Sequence, residues 1–170
     1  MEMSYSWAMP NHQTFKIKPI KQFIEENMIE GLTIDPFANR KSDFGAITND
    51  INPNAETDFH MEALQFLKKF DDNSISNLFF DPPYSLRQIK ECYEGLGVSL
   101  TQRESQRFYS DLKDEIKRIM KIGGVVFSFG WSSVGMTKSR GFEKIKLLCC
   151  CHGGIHNDTL VLLEVFHGIA

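Results

Sequence analysis

The stretch Asn77-Leu78-Phe79-Phe80-Asp81-Pro82-Pro83-Tyr84 decides the fold. Its apolar run predicts a buried strand that ends at Asp81. Proline fixes φ, donates no N–H and restricts the residue before it, so the chain leaves this strand as a stiff, extended turn. The turn holds a carboxylate, a backbone carbonyl and an aromatic ring in fixed mutual geometry. Such a group is suited to gripping a planar heterocycle by its exocyclic amino group.

Length and composition predict one domain with a packed core, since 42% of the 170 residues are hydrophobic and 24% are charged. The apolar runs are shorter than a membrane span, and residues 1–10 lack the pattern of a signal peptide, so we expect no membrane association. The net charge of −3 argues against a purely electrostatic nucleic-acid binder, although it permits a local basic face.

Strand and helix patterns alternate along the chain. Helices are predicted from Pro19 to just before Gly31, over residues 62–70, and from residue 101 to a stop at Gly123-Gly124. Strands are predicted over residues 32–35, 46–50, 77–81, 125–131, 142–151 and 159–166. This order predicts a single α/β domain with a mostly parallel sheet that ends in an antiparallel strand pair.

Three acids, Asp35, Asp50 and Asp81, each close a predicted strand. In an open α/β sheet, ligands bind outside the carboxyl ends of the strands. Although aspartate is common at such junctions in any protein, three of them predict a single cleft.

The cysteines are Cys92 and the run Cys149-Cys150-Cys151, a pattern that favours intracellular thiols over a disulfide framework. A zinc site that adds His152 and His156 is the alternative. Neighbouring strand residues point to opposite faces, so we expect small buried side chains here and no metal.

Six segments, in order, resemble the motifs of small S-adenosylmethionine-dependent amino-methyltransferases of bacteria and phages, which methylate adenine N6 in DNA. The segments are residues 14–20 (TFKIKPI), 33–38 (TIDPFA), 49–53 (NDINP), 62–67 (EALQFL), 81–84 (DPPY) and 121–124 (KIGG). Related methyltransferases that act on RNA share the DPPY motif.

The resemblance implies a Rossmann-like methyltransferase domain over residues 1–170, without a separate target-recognition domain. It implies S-adenosylmethionine as cofactor, DNA as partner, in single-stranded or locally opened form, and a cytoplasmic location in a bacterial cell or phage-infected host. Target recognition then comes from the loop at residues 85–100, a second copy or a partner subunit. An RNA base amino-methyltransferase and a catalytically silent, methyltransferase-like binding subunit are the alternatives.

The resemblance assigns catalysis to Asp81, Pro82, Pro83 and Tyr84. The Asp81 carboxylate and the Pro82 carbonyl accept the two amino hydrogens, which directs the nitrogen lone pair toward the methyl group. Tyr84 stacks on the target base. In duplex DNA, that base must first be flipped out of the helix.

For the cofactor, the resemblance implies that Asp35 holds the methionine end, Asp50 accepts the ribose hydroxyls and Glu62 faces the adenine. Asp58 is the alternative to Glu62. The predicted cofactor-binding set is Phe15, Lys18, Asp35, Pro36, Phe37, Asp50, Asn52, Glu62 and Asp81.

The target base and nucleic acid are expected to contact Tyr84, Arg87, Trp131, His156 and Asn157. Trp131 ends a predicted strand beside the pocket, where it can stack. His156 and Asn157 lie in the last hairpin turn, where the family has a wall of the base pocket.

Two features depart from the family. Asn39 stands where the family has a glycine that lets the backbone approach the cofactor. The interval from Asp35 to Asp50 is also short for a crossover that includes a helix, so we expect the first crossover helix to be clipped or missing.

Overall fold

The strands of the protein form one seven-stranded sheet. The computed structural model describes residues 1–95, 97, 101–154 and 156–168. The strands are β1 (Glu2–Trp7), β2 (Thr33–Asp35), β3 (Ile47–Thr48), β4 (Ile75–Phe80), β5 (Met120–Gly130), β6 (Phe142–Cys151) and β7 (Thr159–Phe166). The helices are α1 (Lys18–Asn27), α2 (Ala63–Leu67), α3 (Leu86–Gly95) and α4 (Gln102–Ile119). Two short 3₁₀ helices cover Thr14–Lys16 and Lys138–Arg140.

The strand order is β1-β6-β7-β5-β4-β2-β3. Strand β7 pairs antiparallel with both β5 and β6, whereas the other neighbours pair parallel. The predicted α/β domain, mostly parallel with a terminal antiparallel pair, is therefore confirmed. None of the helices in the described ranges is long and apolar enough to cross a membrane.

Apolar side chains cover both faces of the interior strand β4. Phe79 points into the cluster that includes Ile20 and Ile24 of α1. Leu78 and Phe80 point into the opposite cluster, which contains the predicted α4 stripe of Phe108, Leu112, Ile116 and Ile119. Alternation along the strand thus buries both faces between helices and leaves the carboxyl ends of the strands to form a site.

Three elements differ from the sequence-based expectation. Helix α4 ends at Ile119 rather than at Gly123-Gly124, and these glycines lie inside β5. The β4–β5 register shifts there and Gly123 adopts a φ of 82°, as in a bulge. Strand β1 was not predicted, because its apolar side chains are exposed at the sheet edge. Residues 86–95 of the expected recognition loop form α3, while residues 96 and 98–100 lie outside the described residues.

The short link from β2 to β3 contains no helix, as expected from the spacing of Asp35 and Asp50. Backbone bonds replace the helix, since Ala38 N–H donates to the Asn49 carbonyl and Asn49 N–H donates to the Asp35 carbonyl, both at 2.9 Å. The loop after Asp35 is thereby held against the end of β3.

Asn77, fully buried in β4, joins the chain after α1 to the sheet. Its Oδ1 accepts the Ile29 N–H at 2.9 Å, and its Nδ2 donates to the Ile29 carbonyl at 2.8 Å and to Thr33 Oγ1 at 3.0 Å. A buried amide with three hydrogen-bonding partners is costly to remove, because the N–H and the carbonyl of Ile29 each lose a hydrogen bond.

The Asn77→Ala variant is expected to lower the free energy of unfolding by about 1–3 kcal/mol, because it strands buried polar groups. Urea denaturation monitored by circular dichroism measures this change. Asn54→Ala, at an exposed loop position, is the matched control and should change stability little. Equal stability of the two variants would show that the Asn77 contacts are not needed.

Candidate active site

The three predicted acids meet at one edge of the sheet. Asp35 ends β2, Asp81 directly follows β4, and Asp50 lies two residues beyond Thr48 of β3. Parallel pairing brings these strand ends together, and both Asp81 and Asp50 act on Asp35 through charge repulsion.

Two cavities open at this edge and share a wall. The larger, of about 630 Å³, is lined by residues that include Pro36, Asp50, Asn52 and the DPPY turn at residues 81–84. The smaller, of about 110 Å³, lies between Asp35, its following loop and the segment at residues 12–16. Phe37 and Asp81 line both cavities, so Asp81 stands where the two spaces meet.

Asp35 is the most deeply buried of the three acids, with 2% of its surface exposed. Burial raises its pKa to about 8, and the nearby Asp81 and Asp50 contribute to the rise, while the hydrogen bond that its Oδ1 accepts from the Phe37 N–H at 3.0 Å opposes it. At neutral pH this carboxyl is therefore mostly protonated, because no ion pair with the described residues offsets the cost of burying its charge.

Burial also raises the pKa of Asp81, to about 6. Hydrogen bonds from the Tyr84 hydroxyl, 2.6 Å from Oδ1, and from the Thr14 side chain limit this rise. Conversely, burial and the neighbouring carboxylate raise the pKa of Tyr84 well above its usual range. Tyr84 thus stays a neutral donor, and Asp81 titrates near neutrality.

Side chains from α3 and α4 fix the DPPY turn. The Tyr84 N–H donates to Gln88 Oε1 at 2.7 Å, and the Tyr109 hydroxyl donates to the Pro83 carbonyl. The ring of Tyr84 meets Trp131 edge to face, with centroids 5.3 Å apart. Both rings line a third cavity, of about 350 Å³, on the side of the turn that faces α4.

Asn49, fully buried, positions the loop that follows Asp35. Its Nδ2 donates to the carbonyls of Pro36 and Met61, at 3.1 and 2.9 Å, and its Oδ1 accepts the Met61 N–H at 3.1 Å. Sequence reasoning missed Asn49, Thr14, Gln88 and Tyr109. Asn49 and Thr14 could have been found, because both lie within the motifs quoted from the sequence.

Asn39 adopts a φ of 55°, in the left-handed region, and lines the smaller cavity. Asparagine tolerates this conformation better than other residues with a side chain. Asn39 therefore adopts a backbone conformation that glycine also adopts readily.

Glu62 and Asp58 are engaged in local structure. Glu62 caps α2 by accepting the Gln65 N–H at 3.1 Å, and its other oxygen accepts the Tyr93 hydroxyl at 3.1 Å. Asp58 pairs with Lys41 and accepts the N–H and hydroxyl of Thr48, contacts that lower its pKa to about 2. Neither is part of the walls of the three cavities; Ala63, next to Glu62, lines the larger one.

The remaining predicted residues divide between the cavity walls and the surface. Phe15 lines the smaller cavity and packs on Phe129, with ring centroids 4.8 Å apart. Lys18 is exposed at the start of α1, and Arg87 is exposed in α3, paired with Glu91 at 2.7 Å. His156 and Asn157 are also exposed, in the turn between β6 and β7. None of these four exposed residues belongs to the walls of the three cavities.

No protein-family model and no curated protein matches the sequence. Among solved structures, yhhF of Escherichia coli, provisionally named a methyltransferase, superposes with a TM-score of 0.55 at 9% identity over 94% of this chain and 89% of its own. Two looser matches are a provisionally named methylase, HI0767 of Haemophilus influenzae (TM-score 0.49, 10% identity, 88% and 96% coverage), and a provisionally named methyltransferase of Streptococcus mutans solved with SAH (0.46, 15%, 85% and 93%). At such identities the first match establishes the fold alone.

The raised pKa of Asp35 predicts a pH-dependent cost of folding. The ordinary pKa of 3.8 applies to the unfolded chain and about 8 to the folded one, so stability falls as pH rises between these values. Asp35→Asn removes this dependence. The stability of Asp35→Asn relative to the wild type should increase with pH over this range, by up to about 1.4 kcal/mol per pH unit.

Urea denaturation of both proteins between pH 5 and about 8 measures the difference. Asp71→Asn, at an exposed position in the turn before β4, should run parallel to the wild type. A constant difference between Asp35→Asn and the wild type would mean that Asp35 is ionised in the folded protein.

Proposed function

We propose that the protein transfers the methyl group of S-adenosylmethionine to the exocyclic N6 amino group of adenine in DNA. The observation that carries this proposal is the position of Asp81 and the Pro82 carbonyl. Both residues directly follow β4 and line the larger cavity, and Asp81 also lines the smaller one.

The charge of the site favours a cationic ligand. Among the described residues, no ion pair reaches Asp35, Asp50 or Asp81, although the three carboxyls lie at one edge. A ligand with a sulfonium and an ammonium group offsets this arrangement, whereas the phosphates of a nucleotide cofactor would add to the repulsion. When bound, S-adenosylmethionine supplies an electrophilic methyl carbon on a positively charged sulfur.

Each part of the cofactor has its own set of residues. Asp50 and Asn52, in the larger cavity, hold the ribose and adenine, because a carboxylate after the second strand of a nucleotide-binding sheet accepts ribose hydroxyls. Asp35 and Thr14, beside the smaller cavity, hold the amino-acid end. Asp81, common to both walls, faces the junction between these parts.

The amino nitrogen of adenine is a weak nucleophile, because its lone pair is delocalised into the ring. The Asp81 carboxylate and the Pro82 carbonyl accept its two hydrogens, which favours a tetrahedral nitrogen with a localised lone pair. The nitrogen would gain the methyl carbon while the carbon–sulfur bond broke, with its electron pair left on sulfur as a neutral thioether. The nitrogen would also give up one proton, for which Asp81 is the base at the amino group in this arrangement. The carboxylate must be ionised beforehand to accept a hydrogen bond from the amino group.

Tyr84 takes part in two ways. Its ring provides a face on which the flipped base stacks. Its hydroxyl occupies one oxygen of Asp81 at 2.6 Å, so the incoming amino group replaces this hydroxyl as donor. Trp131 contacts the Tyr84 ring edge to face and so supports its position.

Two alternatives use the same fold. The left-handed backbone at Asn39 supports the enzyme over a catalytically silent binding subunit, because a residue in this conformation takes the place of the expected glycine. An RNA base methyltransferase uses the same chemistry and is separated by the experiment. A second copy or a partner subunit would supply target recognition, since the exposed residues Arg87, His156 and Asn157 do not converge on the cavities.

Mass spectrometry of nucleosides tests the proposal. Single-stranded and duplex DNA are each incubated with protein and S-adenosylmethionine. We expect N6-methyl-2′-deoxyadenosine among the nucleosides. Asp81→Ala should reduce the product by about 100-fold or more, because it removes a preorganised acceptor. The exposed Asp71→Ala is the matched control and should retain full activity.

Parallel incubations with RNA complete the design. Methylation of RNA with none of DNA would replace the DNA assignment by the RNA alternative. If neither nucleic acid is modified although calorimetry detects cofactor binding, the enzyme assignment fails and the silent subunit is supported.

The acid limb of the pH profile tests the role of Tyr84. In the wild type, kcat/KM is expected to fall below about pH 6, where Asp81 becomes protonated. Tyr84→Phe keeps the ring but removes a hydrogen bond that lowers the pKa of Asp81. Its acid limb should therefore move to higher pH, with activity above the limb largely retained.

The exposed Tyr5→Phe is the control and should leave the profile unchanged. An unchanged or lowered limb in Tyr84→Phe would show that the Tyr84 hydroxyl does not act on the ionised Asp81.

A further inference from the structure

Two of the three consecutive cysteines of β6 lie side by side. Strand side chains alternate, so Cys149 and Cys151 share one face of the sheet, while Cys150 points the other way into the core and is fully buried. The sulfur atoms of Cys149 and Cys151 are 3.8 Å apart. We expected no metal because adjacent cysteines point to opposite faces, but Cys149 and Cys151 are two residues apart and share a face.

A carboxylate completes the group from across the turn that joins β6 to β7. The Asp158 carboxylate and the two sulfurs have ligand atoms that all lie within 4.8 Å of one another. Asp158 is held in place because its Oδ1 accepts the His152 N–H at 3.0 Å. His152 itself is committed elsewhere, to the Ala8 carbonyl and to the Thr159 hydroxyl.

The distances match a tetrahedral ion. Zinc–thiolate bonds of about 2.3 Å at a tetrahedral angle place two sulfurs about 3.8 Å apart, which is the separation observed. We propose that Cys149, Cys151 and Asp158 bind one Zn²⁺ ion. Three protein ligands leave the fourth position to water, and the exposure of Asp158 gives solvent access to it.

Ligand chemistry selects among metals. Thiolates favour zinc and other soft ions, whereas calcium and magnesium require sets of oxygen ligands. A disulfide between Cys149 and Cys151 is less compatible with the strand, because alternate residues have Cα atoms about 6.6 Å apart, near the upper limit for a disulfide. An ion at 2.3 Å from each sulfur requires no approach of the two sulfurs.

Binding would hold the two ends of the turn between β6 and β7 together, because the cysteines lie before the turn and Asp158 lies at its end. The ion binds the folded arrangement, so it stabilises the fold by mass action. At free Zn²⁺ about 100 times the Kd, the thermal midpoint is expected to rise by about 5–10 °C.

Cadmium and cobalt titrations of the reduced, tag-free full chain test the site. Cd²⁺ is expected to give a thiolate charge-transfer band that saturates at one ion per chain, and Co²⁺ the visible spectrum of a tetrahedral ion. Cys149→Ser and Cys151→Ser should lose the band, and Asp158→Asn should weaken binding. Cys150→Ala is the matched control and should retain the band, because its sulfur faces the core.

A measurement on the unmodified protein guards against variants that fail to fold. Zn²⁺ should protect two thiols of the folded wild type from a disulfide reagent, and chelation should expose them again. Lack of protection, a band that persists when Cys149 and Cys151 are both replaced, or a disulfide between them that mass spectrometry finds in the purified protein would overturn the proposal. None of these outcomes bears on methyl transfer, so the two proposals fail separately.

Discussion

The parallel pairing of β2 with both β3 and β4 is the constraint from which the site follows. It sets Ile34 opposite Ile47 and Leu78, so the acids that follow these strands arrive at one edge. Repulsion and burial then hold the Asp35 carboxyl protonated at neutral pH. The fold gives up stability at this edge, and the proposed cationic ligand would recover it. Stability sacrificed in this way is expected at a binding site and has no evident structural purpose.

The second constraint is the rigidity of the DPPY turn. Two prolines remove backbone donors and fix two φ angles, which leaves the Pro82 carbonyl without the freedom to turn away. Tyr109 and Gln88 then hold the backbone at Pro83 and Tyr84 from two different helices. In the proposed reaction, preorganisation of this kind would lower the reorganisation needed when a base enters. The hydroxyl of Tyr84 would keep the Asp81 carboxylate hydrogen-bonded until the incoming amino group replaced it.

The sequence predicted the elements whose signals are local. The bounds of β6 and β7 agree with the structure, because each is an apolar-rich segment flanked by turn residues. Edge strand β1 escaped prediction, since its apolar side chains face solvent. Within the site, acids at strand ends were legible from spacing. The competing partners of Glu62 and Asp58 were not, because Tyr93 and Lys41 approach from distant segments only after folding.

The turn between β6 and β7 connects the two proposals. It carries His156 and Asn157, which the family resemblance places beside the base but which are exposed and away from the cavities. An ion held by Cys149, Cys151 and Asp158 would fix both ends of this turn. A loop with fixed ends has less conformational freedom to lose when it closes on a substrate. The pairing of β1 with β6 extends this support, because Tyr5 and Trp7 lie directly beside the two cysteines. Edge strand β1, which was not predicted, therefore flanks the proposed metal site.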